Sequence, residues 1–185
     1  LGMNEMILRE SESREVVQYA KSVEKAGNYL LSLINNILDI TRIESKKLDI
    51  IEEKFSLRQL VQEVCLIGAK QAEAKNLEFV VDVEETLPKY LEGDALHIKQ
   101  VILNLINNAV KYTKKGKVFL KVCQEEKQIS FSVKDTGIGI KKEDMEALFD
   151  MFMRADIKRH RNIEGSGLGL TIAKELCEQM GGHIQ

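Results

Sequence analysis

Between Asp94 and Thr113 the chain reads DALHIKQVILNLINNAVKYT. At about 100° per residue, His97, Gln100, Asn104, Asn107, Asn108 and Lys111 share one polar arc of a helix, about 100° wide. Ile98, Val101, Ile102, Leu105, Ala109 and Val110 fill the opposite face. A stripe meant only for water is ordinarily built from Glu, Lys and Arg, which are better helix formers than Asn. This one has three Asn and a single late Lys. An amide oxygen can coordinate a hard metal while its NH₂ donates to phosphate, so the stripe has the chemistry of a metal and phosphate surface. The competing reading is an ordinary exposed face with poor helix formers.

Two glycine-bearing segments favour the chemical reading. Ile129, Phe131 and Val133 alternate with Ser130, Ser132 and Lys134, the pattern of a half-buried strand. Continuing it puts Asp135 on the apolar side at the strand's end. A buried carboxylate there needs a donor from protein or ligand. Gly137 and Gly139 follow, for a close backbone approach or for positive φ. Further on, Gly165-Ser166-Gly167-Leu168-Gly169 runs into a helix signal that ends at Gly181-Gly182. Glycines at a helix N-terminus leave N–H groups free for phosphate oxygens, and the helix dipole adds to this. The segment is neither a Walker A loop nor a dinucleotide fingerprint, because no Gly-Lys-Ser/Thr follows and no strand precedes it.

These residues need a scaffold, and the rest of the chain supplies one. Residues 1–10 read as a short helix with Met3, Met6 and Ile7 inward, and Ser11-Glu12-Ser13 as a turn. From Ser13 to Glu44, Val16, Ala20, Val23, Gly27, Leu30, Ile34, Ile37 and Thr41 recur in steps of four and three, a heptad seam. Leu31, Leu33 and Leu38 widen it towards a bundle. Such a hairpin is too narrow to bury its own stripe; a second copy forming a four-helix bundle would cover it, and packing on the rest of its own chain is the alternative. Lys46 to Phe55 reads as a connector, Leu57 to Ala74 as a helix, and Leu77 to Val83 as a strand. Pro88 marks a loop before Asp94, a candidate N-cap. Val118 to Cys123 and Ile129 to Asp135 form a hairpin around Glu125-Glu126-Lys127. The chain has 185 residues, 44% of them hydrophobic, and a net charge of −2, so nothing points to a nucleic-acid surface. Cys65, Cys123 and Cys177 are scattered, as in a reducing compartment. No apolar run approaches the ~18 residues that would span a membrane.

The order of the motifs resembles a known family. The segments Asn104 to Thr113, Asp135 to Gly139, Leu148-Phe149-Asp150-Met151-Phe152 and Gly165 to Gly169 are similar to the N, G1, F and G2 boxes of sensor histidine kinases. The resemblance implies an α+β fold: a helical hairpin, half of a dimeric four-helix bundle, followed by a Bergerat-type α/β sandwich whose mixed sheet carries helices on one face. Residues 1–50 would be a dimerisation hairpin without its acceptor histidine, because the family's His-Glu-x-x-x-Pro motif is expected upstream and His97, His160 and His183 do not fit it. Residues 51–185 would be the catalytic ATP-binding domain, ending early, as His183-Ile184-Gln185 begins a strand. Such a chain is expected to bind Mg·ATP without labelling itself.

The resemblance also implies roles. Asn108 would hold Mg²⁺ through its amide oxygen, and Asn104 would meet the phosphates or the metal's water. Lys111 would neutralise phosphate charge, Tyr112 would lie against adenine, and Asp135 would accept from the adenine amino group. Gly137 and Gly139 would admit the nucleotide, while Gly165, Gly167, Leu168 and Gly169 close over its phosphates. Arg154 would reach the γ-phosphate, from a charged lid over 154–164 that includes Lys158, Arg159, His160 and Arg161. His97 stands where the family commonly has arginine, which puts a phosphate role there in doubt. ATP hydrolases of the wider superfamily carry a Glu as general base where this chain has Asn104, and Asp where it has Lys111. An amide cannot take the proton, so transfer to a histidine is expected over transfer to water. Expected partners are a second copy through the hairpin and a response-regulator receiver, fused as in a hybrid kinase or separate. No nucleic-acid or direct membrane contact is expected, and the location is cytoplasmic, with a parent that is free or membrane-anchored. The alternatives are a hydrolase acting as a conformational switch and a degenerate nucleotide-binding scaffold.

Overall fold

Ser13 accepts from the Val16 N–H at 3.5 Å and so starts the longest helix of the chain. The computed structural model describes residues 2–45, 48–145, 147–150 and 167–185. Two compact units emerge, Leu1–Leu48 and Asp49–Gln185. The first is a hairpin of α1 (Gly2–Glu10) and α2 (Arg14–Glu44). Asn4 Nδ2 donates to the Ala20 carbonyl at 2.8 Å, and Ala20 is buried where the helices meet. Met3, Met6 and Ile7 do not face inward as expected; all three are exposed. The reason is length: a 9-residue helix cannot cover a 31-residue one. The heptad seam is open as well, with Val23 and Leu30 each 58% exposed.

The second unit contains β1 (Glu53–Ser56), α3 (Leu57–Glu73), β2 (Glu78–Val83), β3 (Tyr90–Gly93), α4 (Ala95–Tyr112), β4 (Lys117–Glu125), β5 (Gln128–Asp135), α5 (Lys142–Met145) and α6 (Gly169–Gln179). Its main sheet has the order β2-β4-β5, parallel between β2 and β4 and antiparallel between β4 and β5. The helices α3 and α4 pack on this mixed sheet, and α6 packs on α4. The expected α+β class is thus the observed one. The central strand explains itself by alternation: Val118, Leu120 and Val122 are all buried.

Two strands escaped the sequence. Glu53–Ser56 overlaps the end of the segment read as a connector, and Tyr90–Gly93 lies within the one read as a loop after Pro88. They pair antiparallel, with Phe55 opposite Leu91, and both side chains pack against the core. Four residues are too few to show a period, and each strand is held by a partner far away in sequence. Conversely, His183 begins no strand: residues 182–185 have no ladder partner among the described residues. Three residues gain too little pairing there to offset the entropy of ordering them.

Helix α4 buries its apolar face in two directions. Ile102, Ile106, Ala109 and Val110 join the core shared with α3 and the sheet. Val101, at the edge next to the Asn stripe, is buried too, and α6 packs on the same helix. Ile106 was not counted in the apolar face, yet it is completely buried, while Leu105 is only half-buried. Ile106→Ala is therefore expected to cost about 2–5 kcal/mol. A lower urea midpoint with an unchanged slope would register it.

Candidate functional site

The site begins with how α4 is started. Asp94 is the N-cap, and its Oδ1 accepts from the His97 N–H at 3.0 Å. Its Oδ2 accepts from the Ile51 N–H at 3.0 Å and lies 2.6 Å from His97 Nδ1. Burial alone would raise the pKa of this carboxyl, but the bonds from His97 and Ile51 hold it below the ordinary carboxylate range. The other end of the helix is closed by a cation. Lys75 Nζ donates to the carbonyls of Val110 at 2.9 Å and Lys111 at 3.0 Å.

Between these ends the polar stripe is not a freely solvated face. Asn104, Asn108, Lys111 and Tyr112 are half-buried, and only Asn107 of the three asparagines is exposed. Asn104 Nδ2 donates to the Gly169 carbonyl at 3.2 Å, which brings the Asn stripe against the second glycine motif. The Lys111 ammonium sits 4.8 Å from the centre of the Tyr112 ring.

Asp135 corrects an expectation. Its register partner Val118 is fully buried, so it lies on the apolar side of the sheet as the alternation implied. Yet the residue is exposed, because the strand ends there. Oδ1 accepts from the Gly137 N–H at 2.7 Å and, at 3.5 Å, from the Thr113 hydroxyl. Among the described residues Oδ2 has no hydrogen-bond donor, so it can accept from a ligand. The two glycines serve different ends. A Cβ at Gly137 would lie 2.5 Å from the Tyr112 carbonyl oxygen and 2.7 Å from Asp135 Oδ1, so Gly137 is there for close approach. Gly139 has φ +69° and open space around it, so it is there for backbone conformation.

In the second glycine motif, Gly167 has φ +74° and α6 starts at Gly169. Leu168 makes no side-chain cap, so the first-turn N–H groups of α6 lack that acceptor and suit an anion. Leu168 is only 1% exposed and belongs to the interior, so its side chain is not placed to meet a nucleotide as the motif implied. Arg154 and Gly165, and with them Phe152 and the charged lid over 154–164, lie outside the described residues. Sequence reasoning missed Thr171, whose buried hydroxyl donates to the Phe149 carbonyl at 2.8 Å and ties the F-box segment to α6. It also missed the second bond of Asp94. An Asp that opens a helix signals a cap, but nothing local signals Ile51.

A half-buried amide stripe, a carboxylate with one open oxygen and an uncapped helix N-terminus converge beside two glycine segments. Such a set can both donate to and accept from a polar ligand, and it sits in an α+β fold. Residues 93–185 match the family described as histidine kinase-, DNA gyrase B-, and HSP90-like ATPase, and the chain belongs to that family. Within it, the similar proteins are histidine kinases. The sensor histidine kinase GacS of Pseudomonas protegens is 40% identical over 100% of this chain and 21% of its own length. The sensory/regulatory protein RpfC of Xanthomonas campestris is 39% identical over 99% of this chain and 26% of its own length. The chain thus spans about a quarter or less of these relatives. Among solved structures, full-length ShkA in complex with AMPPNP has a TM-score of 0.80 and 28% identity, covering 98% of this chain and 37% of that one.

Gly137→Ala is expected to destabilise the domain by up to about 3 kcal/mol, as other overpacked sites do. Gly139→Ala should cost only the left-handed backbone strain, about 1 kcal/mol. Thermal unfolding of the two variants should preserve that order.

Proposed function

We propose that this chain is the ATP-binding core of a two-component sensor kinase, donating the γ-phosphoryl of ATP to a histidine on a dimerisation domain. On this reading residues 1–50 are the part of the dimerisation hairpin that follows the acceptor, and residues 51–185 are the catalytic domain. The phosphoryl group would then pass to an aspartate of a response-regulator receiver. The intact protein would work in the cytoplasm, and no helix among the described residues is long and apolar enough to cross a membrane.

The observation that carries the proposal is Asn104. Its side chain is bonded to Gly169, which supports the reading that it lies beside the phosphates, where a hydrolase would need a carboxylate. An amide can orient a group there but cannot take a proton from water. Asn108 offers a hard amide oxygen, which fits Mg²⁺ that keeps its remaining ligands from phosphates and water. When bound, the metal would neutralise charge on the transferring group. Lys111 adds a cation from the same face, with Arg154 as a further candidate, and the start of α6 adds N–H donors. Asp135 accepts the adenine amino group on Oδ2, and Tyr112 covers the base. Catalysis then consists of positioning and charge neutralisation, with no base for water. The open seam of α2 supports a second copy as the partner of the hairpin.

Mixing the chain with a separate dimerisation domain that bears the acceptor histidine, plus γ-labelled ATP, should put acid-labile phosphate on that histidine. Rapid phosphate release without an acceptor would instead make the chain a hydrolase switch, and nucleotide binding with neither reaction would make it a sensor. Calorimetry should find that Asn108→Ala removes the Mg²⁺-dependent part of ATP affinity and that Asp135→Asn weakens binding by about 1–3 kcal/mol. Wild-type affinity in either variant would refute the role. Sedimentation at high micromolar concentration should give a dimer; a monomer would leave the seam unexplained.

A further inference from the structure

Where the chain runs into the ATP-binding unit, one carboxylate holds more than a helix cap requires. Capping needs one acceptor atom: Ser13 and Ser56 each cap their helices with a single hydroxyl. Asp94 does the same through Oδ1 and the His97 N–H. Its Oδ2 is occupied separately, by the backbone N–H of Ile51, 43 residues earlier, and by His97 Nδ1. With a carboxylate as acceptor, Nδ1 is the ring nitrogen that carries a proton. Ile51 has little else to hold it, as its side chain is 61% exposed and the neighbouring Glu52 is exposed too. The bond also continues a ladder. Glu53 pairs with Gly93, so Ile51 meets the side chain of the next residue, Asp94, where the β1–β3 pairing runs out.

We propose that Asp94 is a positioning residue that pins the segment entering the ATP-binding unit to the start of the nucleotide helix, with His97 locking the carboxylate on Ile51. The pin is separate from nucleotide binding. Asn104 lies ten residues further on, about 15 Å along the helix axis. A change at Oδ2 therefore alters where the connecting segment leaves the domain and leaves the ATP-facing groups alone. On the kinase reading proposed above, the consequence is control of transfer, because the bound γ-phosphoryl must be carried to a histidine outside this unit. The pin sets how the unit is tethered for that approach.

Asp94→Asn separates the two functions. Asparagine is as good an N-cap as aspartate, so His97 N–H keeps its acceptor. The second atom becomes NH₂, which cannot accept from Ile51 or from the histidine ring. Amide hydrogen exchange on the full chain should show Ile51 exchanging about tenfold faster or more, as expected for a lost bond to a charged group. The amides of β4 should be unchanged, and ATP affinity should stay within about twofold, since the sites are far apart. Asp94→Ser, with a one-atom cap like those of α2 and α3, should behave in the same way and serves if the Asn variant does not fold. His97→Ala should give a smaller acceleration at Ile51, and His97→Gln, which can still donate, should restore part of the protection. Unchanged exchange at Ile51, or an equal rise throughout β4, overturns the proposal. With the acceptor domain added, Asp94→Asn should change the transfer rate at saturating ATP and leave the KM for ATP alone; equal rates overturn the role in transfer. If the wild-type chain transfers nothing, the kinase reading fails, while exchange at Ile51 still decides the pin.

Discussion

Helix α4 has one rotation at which Ile102, Ile106, Ala109 and Val110 all leave water, and at that rotation Asn104, Asn108 and Lys111 line up on the other side. Burial of several aliphatic side chains is worth roughly 1.5–3 kcal/mol each, more than any single polar contact in the site. The polar groups therefore inherit their direction from the core. The packing of α6 on the same helix then turns part of the remaining surface into a half-buried wall, which an amide tolerates better than an unpaired charge. This explains why the stripe is rich in Asn although Asn is a poor helix former.

The site is built largely from the ends of elements. Helix α4 ends at Tyr112, whose carbonyl meets Gly137; strand β5 ends at Asp135; helix α6 begins at Gly169 without a side-chain cap. Ends carry the backbone groups that regular structure leaves unpaired, so a ligand can be bound there at little cost to the ladders and turns. Glycine is needed only where two ends come too close for a Cβ, as at Gly137, or where the chain turns into the left-handed region, as at Gly139 and Gly167. The Thr113 and Thr171 hydroxyls bind these ends together, one towards Asp135 and one on Phe149.

Much of this was legible in one dimension. The two long helical signals, the β4–β5 hairpin and the Asp94 cap follow from periods of 3.6 and 2 and from a single capping residue, all of which involve near neighbours. The short strands β1 and β3 left no such trace, since four residues cannot display a period and their partner lies across α3 and β2. The burial of Asp135 was misjudged for a related reason. Alternation gives the face a residue takes, and says nothing about whether the sheet continues above it. Leu168 illustrates the converse, a residue set within a ligand motif whose side chain serves the interior.

The sequence by itself determined the order of the motifs, the amphipathic orientation of α4 and the presence of an amide, which cannot take a proton, at position 104. Those properties depend on residue type and local spacing, which folding does not alter. Only the tertiary structure decided that Asn104 meets Gly169, that Asp135 keeps one oxygen open, and that Asp94 reaches back to Ile51. Each joins segments that are distant along the chain or depends on where a strand stops. Such contacts exist only once the core has closed the intervening loops, and no periodicity records which ends a closed loop will bring together.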